Sequence, residues 1–486
     1  MARRMPSVRR PHSRLASFWV PWCALAASCA AGLETVDEGS GSEASEDAEA
    51  SSSEDDPSTD DPGGDFGTHD SPAAVGPCPS RSPATGLLRR PFPQCIGLHG
   101  IKPNHVTAGE MNDAVAARYS DWKQKYVKSS HRFPGEAFYV EMVGTGEGAE
   151  DSVSTSEAHG YGMMIFALMA GYDPQARLYF DGMYKLFDVL RSAGEEGNMS
   201  WLVPRSEKTQ DVSESASDGD MDIAYALLLA DQQWGSSGDV DYKEQAIFSI
   251  DHGIRAADIS FDLWTTLGDW DPDAEAGTRP SDWVLDHFRA YREVTGDSWW
   301  DGPIQTIYDL TDWIQSEYSP TTGLLPDFVR LDDDGYPEPA PYGWLDEPFV
   351  DFSENACRVP LRLAIDYGLY GDERTYHALE PVVRWAVEET QGDPSRLLDG
   401  YYLDGTPQNP AEMNFRMAYV GSMIAAATIG AEFQDYLNAG WDIYVAPPED
   451  GTRDDNYFDD TLQLLAMLYV SGNWWAPYSS QAYSPV

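Results

Sequence analysis

From Thr107 onward, apolar residues recur at three- and four-residue spacing with few interruptions, as in Ile304, Ile307, Tyr308 and Ile314. The pattern predicts helices over 108–128, 157–170, 179–192, 219–231, 241–256, 282–295, 302–318, 355–370, 373–390, 411–430, 432–442 and 459–471. Convincing period-2 alternation is scarce, so the fold is expected to be all-α. The helices are of two kinds. Met163–Ala170 and Ile223–Ala230 are apolar nearly all round, whereas 373–390 carries its charge on one face. A helix apolar on every side must be buried, and a one-sided helix must cover something. Alternating inner and outer helices in six pairs describe an (α/α)6 toroid. A helical solenoid would satisfy the same periodicity, but no fixed-length repeat is found.

The 486 residues would allow two or three domains, or one large domain with tails. The N-terminal part favours tails. Residues 1–32 hold five arginines and no acid, and an apolar run Leu15–Ala27 ends in small residues before Cys29. That run is too short for a permanent span and reads as a secretion signal over 1–29. A cysteine after small residues also fits a lipoprotein signal, which would tether the protein to a membrane through lipidated Cys29. Residues 30–76 are Ser, Glu, Asp, Gly and Pro with almost no large apolar residue. Such a segment cannot offset its ordering entropy and reads as a flexible acidic linker. The remaining residues, 77–486, form the folded body. Cys78 and Cys95 flank a Pro-rich stretch and suit a local disulfide, while Cys357 reads as buried and inert.

The net charge is −49, and it is not confined to the linker: outside residues 1–70, 67 acids face 27 bases. An acidic body excludes nucleic acid as a partner, because phosphate binding needs a basic face. Neutral polymers remain open, and cationic ones would be attracted.

Two acidic segments each precede a wholly apolar helix. In Ser156-Glu157-Ala158-His159-Gly160-Tyr161-Gly162, a carboxyl opens the first turn of a helix that must be buried further along. Partial desolvation there would raise the pKa of Glu157 and suit it to donate a proton. Gly160 and Gly162 weaken the helix, so something must approach its backbone closely. In Ser217-Asp218-Gly219-Asp220-Met221-Asp222, three carboxylates in five residues must be solvated, paired or coordinating. N-capping by Asp218 or a calcium site would also explain them, although the remaining ligands of an EF-hand loop are missing.

Together these two segments resemble the signatures of glycoside hydrolase family eight. The likeness extends through Leu267-Gly268-Asp269-Trp270, Thr278-Arg279-Pro280-Ser281-Asp282 and Asn355-Ala356-Cys357-Arg358, and covers most of 105–475. It implies an (α/α)6 toroid and an inverting endo-hydrolase of β-1,4-linked polysaccharide over 77–486. On this resemblance Glu157 is the general acid and Asp218 binds the sugar at the cleavage point. Tyr161, Trp270, Arg279, Asp282 and Arg358 would shape the same cleft. The base is less direct. Many members carry an Asp before Ala-Cys-Arg, but this chain has Asn355, and an amide cannot act as that base. A subgroup resembling chitosanases and lichenan-type glucanases shares the Asn and takes its base from an upstream loop. Here that loop is Tyr342-Gly343-Trp344-Leu345-Asp346-Glu347, which leaves Asp346 or Glu347, with Glu354 as a third choice.

Trp264, Trp270, Trp283 and Trp344 lie in or beside the same loops and are candidates for stacking on sugar rings. The expected partner is a polysaccharide, either chitosan or a β-glucan, met by a monomer. Two carboxylates and a positioned water suffice for the chemistry, so no cofactor or metal is expected. Asn355 also motivates a second reading, a glycan-binding protein that kept the toroid and lost its base. A polysaccharide lyase on a similar toroid is a third, and would require acidic substrates.

Overall fold

Thr107 starts the helical body. Its side chain accepts from the backbone N–H of Glu110, whose own carboxylate accepts from the Thr107 N–H, a reciprocal cap that fixes the start of α1 (Ala108–Tyr126). The computed structural model describes residues 88–142, 151–346, 351–408, 416–446 and 456–478. The signal and linker expectations for 1–76 lie outside these residues, as does Cys78. Cys95 is disulfide-bonded, and Cys357 is a buried free thiol.

Eleven further α-helices follow among the described residues: α2 (Ser156–Met169), α3 (Ala176–Val189), α4 (Ser217–Trp234), α5 (Tyr242–Ser249), α6 (Leu285–Thr295), α7 (Asp301–Glu317), α8 (Val359–Tyr370), α9 (Glu373–Glu389), α10 (Arg416–Ala426), α11 (Gln434–Val445) and α12 (Tyr457–Val470). A π-helical stretch, Ile250–Asp258, extends α5. The even-numbered helices close a ring, α2 against α4, α4 against α6, and so on through α12 back to α2. Each odd-numbered helix lies outside one of them, α3 on α2, α5 on α4, α7 on α6, α9 on α8, α11 on α10 and α1 on α12. The fold is therefore the (α/α)6 toroid.

Burial follows the two helix types seen in the sequence. Every residue of α2 except Glu157 is buried, while α9 buries Thr375, Ala378, Leu379, Val382 and Ala386 along one stripe. Boundaries shift where proline intervenes. The helix expected from 355 begins as a 3-10 turn, Ala356–Arg358, and becomes α-helical only at Val359, with Pro360 in its first turn. Likewise the helix expected from 282 starts at Leu285, after a 3-10 turn Pro280–Asp282.

Three short antiparallel strand pairs, too small to announce themselves by alternation, decorate the ring: β1 (Val127–Ser129) with β2 (Phe138–Val140), β3 (Ser152–Thr155) with β4 (Leu202–Pro204) across α2 and α3, and β5 (Val329–Leu331) with β6 (Pro337–Pro339). The loops 262–280 and 326–346 are bound to each other. Thr278 and Val329 exchange two backbone hydrogen bonds of 2.8 Å, and Trp344 Nε1 donates to the Ala276 carbonyl at 2.9 Å. Leu267, Phe328 and Ala340 form a separate small core beneath Trp270 and Trp344.

Candidate active site

Glycine brings the two acidic segments together. A Cβ on Gly160 of α2 would lie 2.6 Å from Cβ of Asp222, and one on Gly219 of α4 would lie 2.5 Å from the carbonyl carbon of Ser156. The close approach implied by Gly160 is thus helix α4 itself, whereas a Cβ on Gly162 would meet the side chains of Val140 and Met183 at 2.6 and 2.7 Å. The two first turns interlock, which sets Glu157 beside Asp218 at one end of the ring. N-capping does not explain Asp218, which lies inside the helix after an N-cap at Ala216 that makes no side-chain bond. Among the described residues, no group of three or more His, Cys, Asp or Glu is placed to hold a metal ion.

Arg358 joins the pair from the turn before α8. Its Nη1 donates to Glu157 Oε2 at 2.5 Å and to Asp218 Oδ2 at 2.9 Å, and its Nη2 donates to Ser281 Oγ at 3.0 Å. Arg279 Nη2 lies 3.1 Å from the same Asp218 oxygen, while its Nε donates to both oxygens of Asp282 at 3.1 and 2.9 Å. Three carboxyls, Glu157, Asp218 and Asp282, therefore share two guanidiniums. In a site this buried, neutrality is met when one carboxyl keeps its proton. Burial alone would raise Asp218, but Arg279 and Arg358 outweigh it and hold that carboxyl below the usual range. Burial raises Glu157, with Asp218 adding to the rise and Arg358 and the Tyr457 hydroxyl opposing it. Asp282 is raised by burial as well, but its side chain is fully enclosed, whereas that of Glu157 is 18% exposed. Glu157 is thus the raised carboxyl that a solute can reach.

The other two aspartates of the second segment have separate fates. Asp222 accepts from Arg362 through both oxygens at 2.7 Å and lies 2.9 Å from His287 Nε2. Asp220 faces away, accepts from the Met199 N–H at 2.7 Å, and is pushed up first by burial and then by the nearby Asp258.

Of the remaining sequence candidates, Tyr161 is 1% exposed and lies behind Glu157, with the Arg362 guanidinium 5.6 Å from its ring centre. Trp270 is half-buried on the small core, and Trp344 packs there with the Arg330 guanidinium 5.0 Å from its ring centre. Trp283 is not a sugar platform. It is 2% exposed, with Nε1 donating to Thr278 Oγ1 at 2.9 Å. Asp346 ends a 3-10 turn, Trp344–Asp346, but its side chain and the whole of Glu347 lie outside the described residues.

Three residues enter the site that were not singled out in the sequence, although Ser281 lies within the Thr278–Asp282 motif. Tyr457, the first residue of α12, donates its hydroxyl to Glu157 Oε1. Ser281 anchors Arg358, and the buried Asp327 sits behind Asn355. The spacing of hydrophobic residues carries no information about such contacts.

The site can hold a protonated carboxyl next to a fixed anion, at the mouth of a ring of helices. Residues 108–472 match the model of the family described as Glycosyl hydrolases family 8. The chain is 41% identical to an endoglucanase of Bacillus sp. (strain KSM-330), over 82% of this chain and 84% of that protein. It is 38% identical to a β-glucanase of Niallia circulans, over 79% of this chain and 91% of that protein. The solved apo structure of a β-1,3-1,4-glucanase from Paenibacillus sp. X4 superposes with a TM-score of 0.72 at 35% identity, covering 80% of this chain and 99% of that one.

Proposed function

The chain belongs to glycosyl hydrolase family 8, and from that premise we propose that it hydrolyses β-glucan chains internally, with inversion, using Glu157 as general acid. The observation that carries the assignment of the acid is the shortage of cations around it. Two guanidiniums serve three carboxyls, and Glu157 is the one both raised in pKa and open to solute. Its proton has one place to sit. Arg358 only donates, so Oε2 must accept, which leaves Oε1, the oxygen facing Tyr457. When a glycosidic oxygen arrives at Oε1, the proton passes to it as the C–O bond breaks.

Positive charge then develops on the sugar ring. Asp218, kept ionised by its two arginines, supplies a fixed negative charge beneath it at no reorganisation cost. Its own oxygens face Arg279, Arg358 and the Gly219 N–H, so it acts on the sugar mainly through its field. A water attacking from the opposite face needs a base on the far wall of the cleft, roughly 6.5–9.5 Å from the acid. Asn355 cannot provide it, because its amide oxygen accepts from Arg279 and Arg358. We assign the base to Asp346 or Glu347, on the loop that Trp344 anchors at Ala276, with Glu354 as the third choice. Glucan is preferred to chitosan as substrate on the strength of the endoglucanase and β-glucanase relatives.

The test compares the full-length protein with its Glu157→Gln variant for reducing-sugar release from lichenan, carboxymethyl-cellulose, soluble chitosan and xylan. Release from a glucan by the wild type alone supports the reading. Release from chitosan alone overturns the substrate. A first product in the β-anomeric form, followed by proton NMR during turnover, overturns inversion. Asp346→Asn, Glu347→Gln and Glu354→Gln then identify the base, since only one of them should abolish turnover.

A further inference from the structure

Asp327 lies in the loop between α7 and β5 and is 2% exposed, yet it takes no part in the mechanism above. Its Oδ1 accepts from the backbone N–H of Ala356 at 2.6 Å and of Ser353 at 3.2 Å, and its Oδ2 accepts from Asn355 Nδ2 at 3.5 Å. On its other side, the Asn355 amide oxygen accepts from Arg279 Nη1 at 3.2 Å and from Arg358 Nη2 at 3.1 Å. Guanidinium groups only donate, and a carboxylate only accepts. The amide consequently has one orientation that satisfies every neighbour, with oxygen to the arginines and nitrogen to Asp327.

We propose that Asp327 is a positioning residue: by accepting from Asn355 Nδ2 it holds the amide oxygen against Arg279 and Arg358, and so fixes the two guanidiniums that set Asp218 and Glu157. The inference rests on the hydrolase reading and adds a layer behind it. It also explains why an amide suits position 355. A carboxylate there would suit the arginines but would face Asp327 as a like charge, and one of the two would have to take up a proton.

Isosteric exchange separates this role from simple packing. Asp327→Asn keeps an oxygen for the Ala356 and Ser353 N–H groups, but it turns an NH2 group toward Asn355 Nδ2, donor against donor. Asn355 must then flip its amide toward the arginines or move away. Reversing the pair, with Asp327→Asn and Asn355→Asp together, restores every donor to an acceptor and leaves the net charge unchanged.

The experiment measures kcat, KM and thermal midpoint for full-length wild type, Asp327→Asn and the reversed pair on the polymer that the wild type cleaves. The expected result is a fall in kcat of about 100-fold for the single variant, with KM and midpoint changed far less, and recovery to within about tenfold in the reversed pair. Wild-type kcat in Asp327→Asn, or a reversed pair no better than the single variant, overturns the proposal while leaving the hydrolase reading intact. If Asp327→Asn does not fold, Asn355→Asp takes its place: adding Asp327→Asn to it should raise kcat, and no gain overturns the proposal. A wild type that cleaves nothing defeats the hydrolase reading instead. Crystal structures of the same proteins then decide the positioning role, since Arg279 should be displaced in the single variant and return in the reversed pair, and an unmoved Arg279 overturns it.

Discussion

The Tyr457 hydroxyl donates to Oε1 of Glu157 across 300 residues of sequence, joining the first turn of α12 to the first turn of α2. Because Oε2 is committed to Arg358, Oε1 is where the acid must carry its proton, and Tyr457 is what that oxygen meets before substrate arrives. The hydroxyl stabilises the ionised form and lowers the carboxyl pKa against the rise caused by burial. Tyr457→Phe removes that stabilisation, so the Glu157 pKa should rise. A general acid works only while protonated, and the alkaline limb of kcat against pH should therefore move upward. A pH profile of the variant checks this. An unmoved or lowered limb would show that Tyr457 does not act on the acid.

Arg358→Lys keeps the charge and removes the geometry. The guanidinium serves Glu157 and Asp218 through Nη1, Ser281 and Asn355 through Nη2, and the Asn355 carbonyl through Nε. A lysine offers one nitrogen on a flexible four-carbon stem and cannot hold these directions together. With Glu157 and Asp218 no longer fixed relative to one another, kcat should fall by two to three orders of magnitude, an amount typical of lost preorganisation. Circular dichroism should show the helices retained. A rate within tenfold of wild type would mean that charge alone is what the site requires.

The fold was legible in the sequence through its helical periodicity, and half of the candidate site through the resemblance carried by two segments in which acid precedes unbroken apolar helix, a costly pattern unless the acid sits at the open end of a buried helix. Glu157 and Asp218 carry that pattern, and the ring places their first turns side by side. Tyr457 carries none. It stands two residues before the helix expected from 459, beside Phe458 and between the pairs Asp454-Asp455 and Asp459-Asp460, and only ring closure of α12 on α2 gives it a partner. Asp327 was equally silent, an aspartate in an acidic loop whose burial depends on how residues 353–356 fold over it. Trp283 misled for the converse reason, since a tryptophan beside a cleft motif looks the same whether its ring faces the cleft or the core.

Gly219→Ala sets local propensity against packing. Alanine is favoured over glycine inside a helix by about 1 kcal/mol. Here, however, the new methyl would lie 2.5 Å from the carbonyl carbon of Ser156, and backbone cannot rotate out of the way as a side chain can. Overpacking of this kind costs typically 1–3 kcal/mol, so the clash should win and the thermal midpoint should drop. Pushing α4 off α2 also separates Asp218 from Glu157, and kcat should fall more than stability does. Calorimetry and kinetics on the same sample check both. A higher midpoint would show that the two helices have room to spare.

The buried pair Asp220 and Asp258 should make stability fall as pH rises. Both are pushed well above the ordinary carboxyl range, first by burial; Asp220 is raised further by Asp258, and Asp258 by Asp269. Among the described residues, neither has a guanidinium or ammonium in contact: Asp220 accepts from the Met199 N–H and Ser215, and Asp258 from Asn198 and Ser217. The unfolded chain releases these protons near pH 4, while the native state retains them, so above that point the native state binds more protons. Each such group therefore removes about 1.4 kcal/mol of stability per pH unit until its native pKa is reached. Asp258→Asn keeps an oxygen for Asn198 and has no proton to lose. Urea unfolding between pH 5 and 8 should give a shallower decline for the variant than for wild type, with the two curves separating in favour of the variant as pH rises. Parallel curves would place the proton elsewhere, and a variant that loses ground with rising pH would reverse the sign of the argument.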